Sequence, residues 1–331
     1  MKTFAIVGAT GAVGVEAMRV LEKRNFPLKK LRLFSSARSA GKVMRFRDQD
    51  VIVEELRENS FEGIDIALFS AGGDVSKKFA PIAAKTGCIV IDNSSAFRMD
   101  DTVPLVVPEI NAETINNHRG IISNPNCSTA ITLMALYPLH KAFGVTRIVA
   151  STYQAVSGTG AQAVAELERQ VQEIAAGKPV TKEVYSKQIA FNVIPHVDVF
   201  LDSGYTKEEM KLENEGKKIM NHPNFKASVT CVRVPVYRAH AVAVSAEFEK
   251  SITPELAREV LRKAPGINVV DDPTKNIYPT PLEVSGKDDC EVGRIRTDCA
   301  LENGLAFWVV GDQLLKGAAL NAVQIAEHLI V

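Results

Sequence analysis

The chain alternates short apolar runs with helix-spaced apolar stripes. Residues 3–7 are apolar and end at Gly8-Ala9-Thr10-Gly11-Ala12-Val13-Gly14. Val13, Ala17, Val20 and Leu21 then recur at helical spacing, so the start reads strand, glycine-rich turn, helix. Further strands are expected at 31–34, 51–56, 64–69 and 88–91, with a helix at 75–85. Residues 105–107 and 121–122 are expected to complete a mostly parallel sheet. A long apolar segment, 130–143, follows. Over 147–154 the pattern has period two, with Ile148, Ala150, Thr152 and Gln154 on one face. The next helix carries Val164, Leu167, Val171 and Ile174 as a stripe. A charged helix over 207–220 precedes a strand at 228–236 and another at 241–248. A hairpin is expected around Glu302-Asn303-Gly304, and an apolar C-terminal helix over 314–329 should pack back on the sheet.

Composition narrows the class. The 331 residues suit about two domains. Lys+Arg and Asp+Glu are both 39, so nothing favours nucleic acid or an anionic membrane as a partner. No apolar run is long enough to span a bilayer, and the first residues run straight into a strand pattern. The five cysteines are scattered and lack C-x-x-C spacing, which speaks against a disulfide framework or a zinc site and for the reducing cytoplasm.

The chemistry gathers at a few points. The glycine-rich turn after the first strand can cradle a pyrophosphate at a helix N-terminus, which points to a dinucleotide. The second strand ends in Ser35-Ser36-Ala37-Arg38-Ser39, with no acid for ribose hydroxyls. Hydroxyls and Arg38 suit a 2′-phosphate, so NADP is the expected cofactor. Arg98 follows a strand end, where it can meet an anion. Ser123-Asn124-Pro125-Asn126-Cys127-Ser128-Thr129 is turn chemistry leading into the long apolar segment. Ser128 or Thr129 can cap the helix there, and Cys127 falls at its start, where the dipole favours a thiolate. Gln154 stands at a strand end before glycine-rich Ser157-Gly158-Thr159-Gly160. Arg233 shares a strand face with Val229 and Cys231, which makes it a candidate carboxylate or phosphate clamp. His240 opens the next strand and suits acid/base work. Glu215 and Lys218 share a helix face, which by itself reads as a solvated ion pair.

Together the glycine turn, the Asn126-Cys127-Ser128 turn, Cys231-Val232-Arg233-Val234-Pro235-Val236 with His240, and Gly311-Asp312-Gln313-Leu314 resemble the aspartate-β-semialdehyde dehydrogenases, in register along the whole chain. The resemblance implies a Rossmann-type, mostly parallel α/β domain over 1–127, completed by a C-terminal helix at 314–331. It implies a second, mixed α/β (α+β) catalytic and dimerisation domain over 128–313. The implied reaction is NADPH-dependent reductive dephosphorylation of L-aspartyl 4-phosphate through a cysteine thioester, on the route to lysine, threonine, methionine and diaminopimelate, in a homodimer. Cys127 is then the nucleophile, His240 the acid/base that takes the thiol proton and later protonates the developing alkoxide, and Gln154 the residue that orients the acyl group. Arg233 takes the substrate carboxylate, Glu215 the amino group, and Arg98 and Lys218 the phosphate. Gly8, Thr10, Gly11, Ala12, Val13, Arg38, Ser39, Ser157, Gly158 and Gln313 contact NADP; no metal is implied. One departure is visible: Tyr237-Arg238-Ala239-His240-Ala241 lacks the Gly-His-Ser or Cys-His-Ser often seen around this histidine. Competing assignments are an N-acetyl-glutamyl-phosphate reductase, glyceraldehyde-3-phosphate dehydrogenase chemistry, and a non-catalytic dimeric nucleotide-binding paralogue.

Overall fold

The structure, a computed structural model, describes residues 1–330. Contacts divide the chain into a unit of residues 1–126 with 317–331 and a unit of residues 127–316. Cys127 therefore opens the second unit.

In the first unit, β1 (Lys2–Val7) leads through the glycine turn into α1 (Ala12–Lys23), followed by β2 (Leu28–Ser35), β3 (Val43–Phe46), β4 (Gln49–Glu55), β5 (Ile66–Phe69), α2 (Gly73–Lys85), β6 (Ile89–Asp92), α3 (Pro108–Asn111) and β7 (Ile121–Ser123). The sheet order is β3-β4-β2-β1-β5-β6-β7, parallel except for the β3–β4 pair. Phe34, Phe61 and Phe69 pack with Ala80, Ala83 and Val90 as one core cluster beneath α2. Two expectations need correction. Residues 105–107 are no strand: Leu105 makes a single bridge to Ser123, because the chain turns into α3 at Pro108. The antiparallel edge strand β3 had no counterpart in the pattern reading, since Lys42-Val43-Met44-Arg45 alternates weakly.

The second unit begins with α4 (Cys127–Phe143), then β8 (Val145–Gln154), α5 (Ala161–Ala175), α6 (Lys207–Ile219), β9 (Lys226–Arg233), β10 (His240–Phe248), α7 (Pro254–Arg262), β11 (Ile267–Val269), α8 (Pro281–Val284), β12 (Cys290–Thr297) and β13 (Gly304–Gly311). Its mixed sheet runs β11-β12-β13-β10-β8-β9, with β8–β9 parallel and β10 antiparallel to both neighbours. The apolar helix α4 lies on β8, β10 and β13 beside α6 and α7, which is why it needs no polar face. Ser128 and Thr129 are buried inside the first turn of α4 and so are not its caps; the helix starts at Cys127 itself. Val171 leaves the expected stripe and is exposed, while buried Glu166 and Gln170 face inward from α5. There Glu166 accepts from the backbone N–H groups of Glu183 and Tyr185, and Gln170 from those of Ile189 and Ala190. Inward polar residues on α5 thus organise a loop, a need that an apolar stripe cannot reveal. After a π-helical turn, α9 (Leu320–His328) packs on α1 within the first unit.

Candidate active site

The second unit builds its site from the end of β8. Pairing sets Thr152 opposite Cys231 and Gln154 opposite Arg233, and alternation turns all four side chains to the buried face. The next peptide, that of Ala155, anchors two of the expected residues. Its N–H donates to His240 Nδ1 at 3.0 Å, and its carbonyl accepts from Arg233 Nη1 at 2.8 Å. Both side chains are buried. His240 Nε2 and Arg233 Nε have no hydrogen-bond partner among the described residues, and Arg233 has no acidic partner among them. A buried guanidinium in that condition costs several kcal/mol unless an anion joins it. Burial holds His240 well below the usual histidine pKa, and the nearby Arg233 charge pushes the same way. The imidazole is therefore neutral. Because Nδ1 accepts from Ala155, its proton sits on Nε2, the free nitrogen.

Gly158 closes this corner. A Cβ there would stand 3.1 Å from Arg233 Nη1 and 3.1 Å from His240 Nε2, tighter than ordinary contact. Any side chain would crowd the guanidinium and the unpartnered His240 Nε2. Gln313 holds the loops on either side: its Oε1 accepts from the Ala239 N–H at 2.8 Å and its Nε2 donates to Ser157 Oγ at 2.6 Å. Ser157 Oγ in turn donates to the Tyr237 carbonyl. Buried Asp312 accepts from Arg238 Nε at 2.6 Å and from the Leu314 N–H at 2.9 Å. Ala239 adopts φ +69°, a left-handed conformation that glycine takes freely. The missing glycine before His240 thus leaves the turn intact, at a cost of about 1–2 kcal/mol in backbone strain.

Cys127, half-buried, is the first residue of the 17-residue α4. Burial pushes the Cys231 thiol up to about 12, and that of Cys88 likewise to about 12. Neither is a thiolate at neutral pH. Buried Glu215 and half-buried Lys218 lie on α6, the helix that covers β9. The same helix supplies Glu208, which the sequence reading missed; its signal is an acid spaced seven residues before Glu215 on the same helix face.

In the first unit, Gly8 has φ +86°, and a Cβ on it would meet the Ser70 carbonyl carbon at 2.8 Å. Only glycine fits, and the backbone of the turn is left open for a phosphate. Gly11, Ala12 and Val13 follow at the start of α1, whose N-cap Gly11 carries no side-chain cap. Thr10 Oγ1 lies 3.2 Å from Ser35 Oγ and donates to Ser39 Oγ at 3.5 Å. Arg38, exposed in the turn after β2, has no ion-pair or hydrogen-bond partner among the described residues. Open glycine backbone, a hydroxyl cluster and an arginine without an ion-pair partner among the described residues together fit a dinucleotide cofactor. Arg98 is buried and donates to the carbonyls of Asn124 and Asn93, each at 2.9 Å. Asn124 itself donates to Asn93 Oδ1 at 2.7 Å and accepts from Asn321 Nδ2 at 2.6 Å. Asn321, on the final helix, was not legible as part of the turn's support.

A nucleotide-type sheet, and a second unit with a helix-start cysteine, a buried histidine and a buried arginine that has no acidic partner among the described residues, together fit a dehydrogenase. Family models agree: the semialdehyde dehydrogenase NAD-binding domain matches residues 3–118, and the semialdehyde dehydrogenase dimerisation domain matches residues 136–316. The aspartate-semialdehyde dehydrogenase of Aquifex aeolicus is 54% identical over 330 residues, 98% of this chain and 97% of that one. A crystal structure of aspartate semialdehyde dehydrogenase II complexed with ASA from Vibrio cholerae is 46% identical, has a TM-score of 0.97, and covers 100% of this chain and 98% of that one. The Candida albicans enzyme crystallised with NADP is 26% identical at a TM-score of 0.77, with 100% and 98% of the two chains covered. The chain belongs to the aspartate-semialdehyde dehydrogenase family.

Proposed function

We propose that the chain catalyses the NADPH-dependent reductive dephosphorylation of L-aspartyl 4-phosphate to L-aspartate 4-semialdehyde, as a homodimer, in amino-acid biosynthesis. The observation that carries this reading is the corner at Ala155: a buried arginine with no acid, beside a buried neutral histidine whose Nε2 has no partner. That pair suits a substrate that brings a carboxylate and a carbonyl oxygen.

The Cys127 thiolate attacks the acyl carbon of the substrate. The C–S bond forms, the C–O bond to phosphorus breaks, and inorganic phosphate leaves, its charge balanced by Arg98 and Lys218. The thioester accepts hydride more readily than a carboxylate does, and the bound cofactor supplies that hydride. Held by Ala155, His240 turns its Nε2–H toward the carbonyl oxygen as negative charge develops there. In this state the ring donates a hydrogen bond from Nε2–H, and with Nδ1 already accepting from Ala155 it has no nitrogen left to take the thiol proton. Collapse of the hemithioacetal expels the Cys127 thiolate and frees the aldehyde. Arg233 fixes the α-carboxylate and Glu215 the ammonium, and Gln154 orients the substrate beside them. Gly8, Thr10 to Val13, Arg38, Ser39, Ser157, Gly158 and Gln313 hold NADP. The amine-blocked substrate of an N-acetyl-glutamyl-phosphate reductase would leave Glu215 without a purpose.

The reverse reaction tests this directly. Aspartate semialdehyde with phosphate should reduce NADP, faster than NAD. Turnover that ignores phosphate, or none at all, would refute it.

A further inference from the structure

Gln154, like His240, is an expected site residue whose polarity the structure decides. Its side-chain Nε2 donates to Glu208 Oε1 at 3.2 Å and to Thr152 Oγ1 at 3.2 Å, so both of its N–H groups are used. Oxygen and nitrogen of an amide are easily interchanged, but here the partner forbids it. Glu208 is ionised, since its Oε2 accepts from Lys211 Nζ at 2.8 Å, and Lys211 Nζ is also bound by Asp198 Oδ2 at 3.0 Å. A carboxylate only accepts, so the amide nitrogen must face it. The Gln154 oxygen has no hydrogen-bond partner among the described residues and is the face of the amide left for a ligand.

We infer that Glu208 is a positioning residue which locks the Gln154 amide with its oxygen toward the substrate, making Gln154 an acceptor for the substrate ammonium. An acceptor cannot stabilise a developing oxyanion, and that task stays with the His240 Nε2–H. An amide oxygen suits a cation, and Glu215, seven residues beyond Glu208 on the same face of α6, adds a second acceptor for it. Selection for a free amine is therefore written twice, once by charge and once by a locked dipole. This inference rests on the activity proposed above.

Glu208→Gln is the informative variant. Lys211 can only donate, so the new amide turns its oxygen to Lys211 and its NH2 group to Gln154. Gln154 must then invert and present N–H groups to the ammonium. KM and kcat would be measured for aspartate semialdehyde and for succinate semialdehyde, which lacks the amine. The preference for the amine-bearing aldehyde should fall about tenfold, the value of a charge-assisted hydrogen bond, through KM and with kcat for succinate semialdehyde kept. Should Glu208→Gln fold poorly, Lys211→Met removes the charge that orients Glu208 and should shift the preference in the same direction by less. Equal loss for both aldehydes with a lowered Tm would make Glu208 a fold anchor and overturn the inference. So would an unchanged preference in both variants. A wild-type chain that oxidises neither aldehyde would instead refute the proposed activity, and the inference with it.

Discussion

The two units hold their ligand-facing groups by different means. In the first, the glycine turn works through backbone alone: Gly8 sits at φ +86° against Ser70, and the exposed Arg38 needs no support. In the second, Arg233, His240, Gln154 and Gln313 are buried side chains, each anchored by a hydrogen bond to another buried group, as Arg98 is in the first. Arg233 and His240 share the Ala155 peptide, Gln154 leans on Glu208, and Gln313 ties Ala239 to Ser157. A local motif tolerates change around it. A network of buried polar groups does not, because each lost partner strands another group at a cost of about 1–3 kcal/mol.

The sharpest break in the comparison is Cys127→Ser, which should lower turnover at least about 10³-fold while NADPH binding, to which Cys127 is not assigned, stays intact. Steady-state assays and a fluorescence titration of NADPH on one preparation check both halves. Alkylation at neutral pH should mark Cys127 and spare Cys88 and Cys231, whose burial pushes their thiols up to about 12; peptide mapping by mass reads this.

Next comes Arg233→Lys. Lysine keeps the charge but loses the fork that meets both Ala155 and a carboxylate, so kcat/KM should drop on the order of tenfold or more, near 1.5–3 kcal/mol. A variant with lowered Tm and normal kinetics would make Arg233 structural. The matching change in the first unit, Arg38→Ala, should weaken NADPH roughly tenfold and NADH hardly at all, with no change in Tm. Equal loss for both cofactors would reduce Arg38 to a surface charge.

The smallest effect concerns pH. The folded-state pKa of His240 lies below its unfolded value of about 6.5, so only the unfolded chain gains this proton as pH falls from about 6.5. Stability from this group is full above that pH and is lost progressively below it. His240→Gln should thus show a shallower acid loss in denaturant midpoints between about pH 7 and 5 than the wild type. Parallel curves would mean that His240 takes up its proton in the folded state as well.

Much of this molecule was legible beforehand because its signals are local. A glycine turn after an apolar run, an Asn-Pro-Asn turn before an apolar helix and a strand-end histidine each need only a few neighbours to be read. The strand alternation even set Gln154, Cys231 and Arg233 on their correct faces, since a period of two needs no partner to count it. What failed was local in form but tertiary in cause. Residues 105–107 look like a strand yet find one bridge, and Ser128 and Thr129 look like caps yet lie inside the helix.

The sequence by itself determined the class of chemistry: which residues can be nucleophile, donor and anion clamp, and that an α/β nucleotide unit precedes a second one. Only the tertiary structure decided how each polar group is turned. That His240 bears its proton on Nε2 follows from the Ala155 N–H, 85 residues away in the chain; that Gln154 offers oxygen follows from Glu208, 54 residues away. Tautomer and amide orientation are set by whichever donor or acceptor arrives in space, and no pattern along the chain records that arrival.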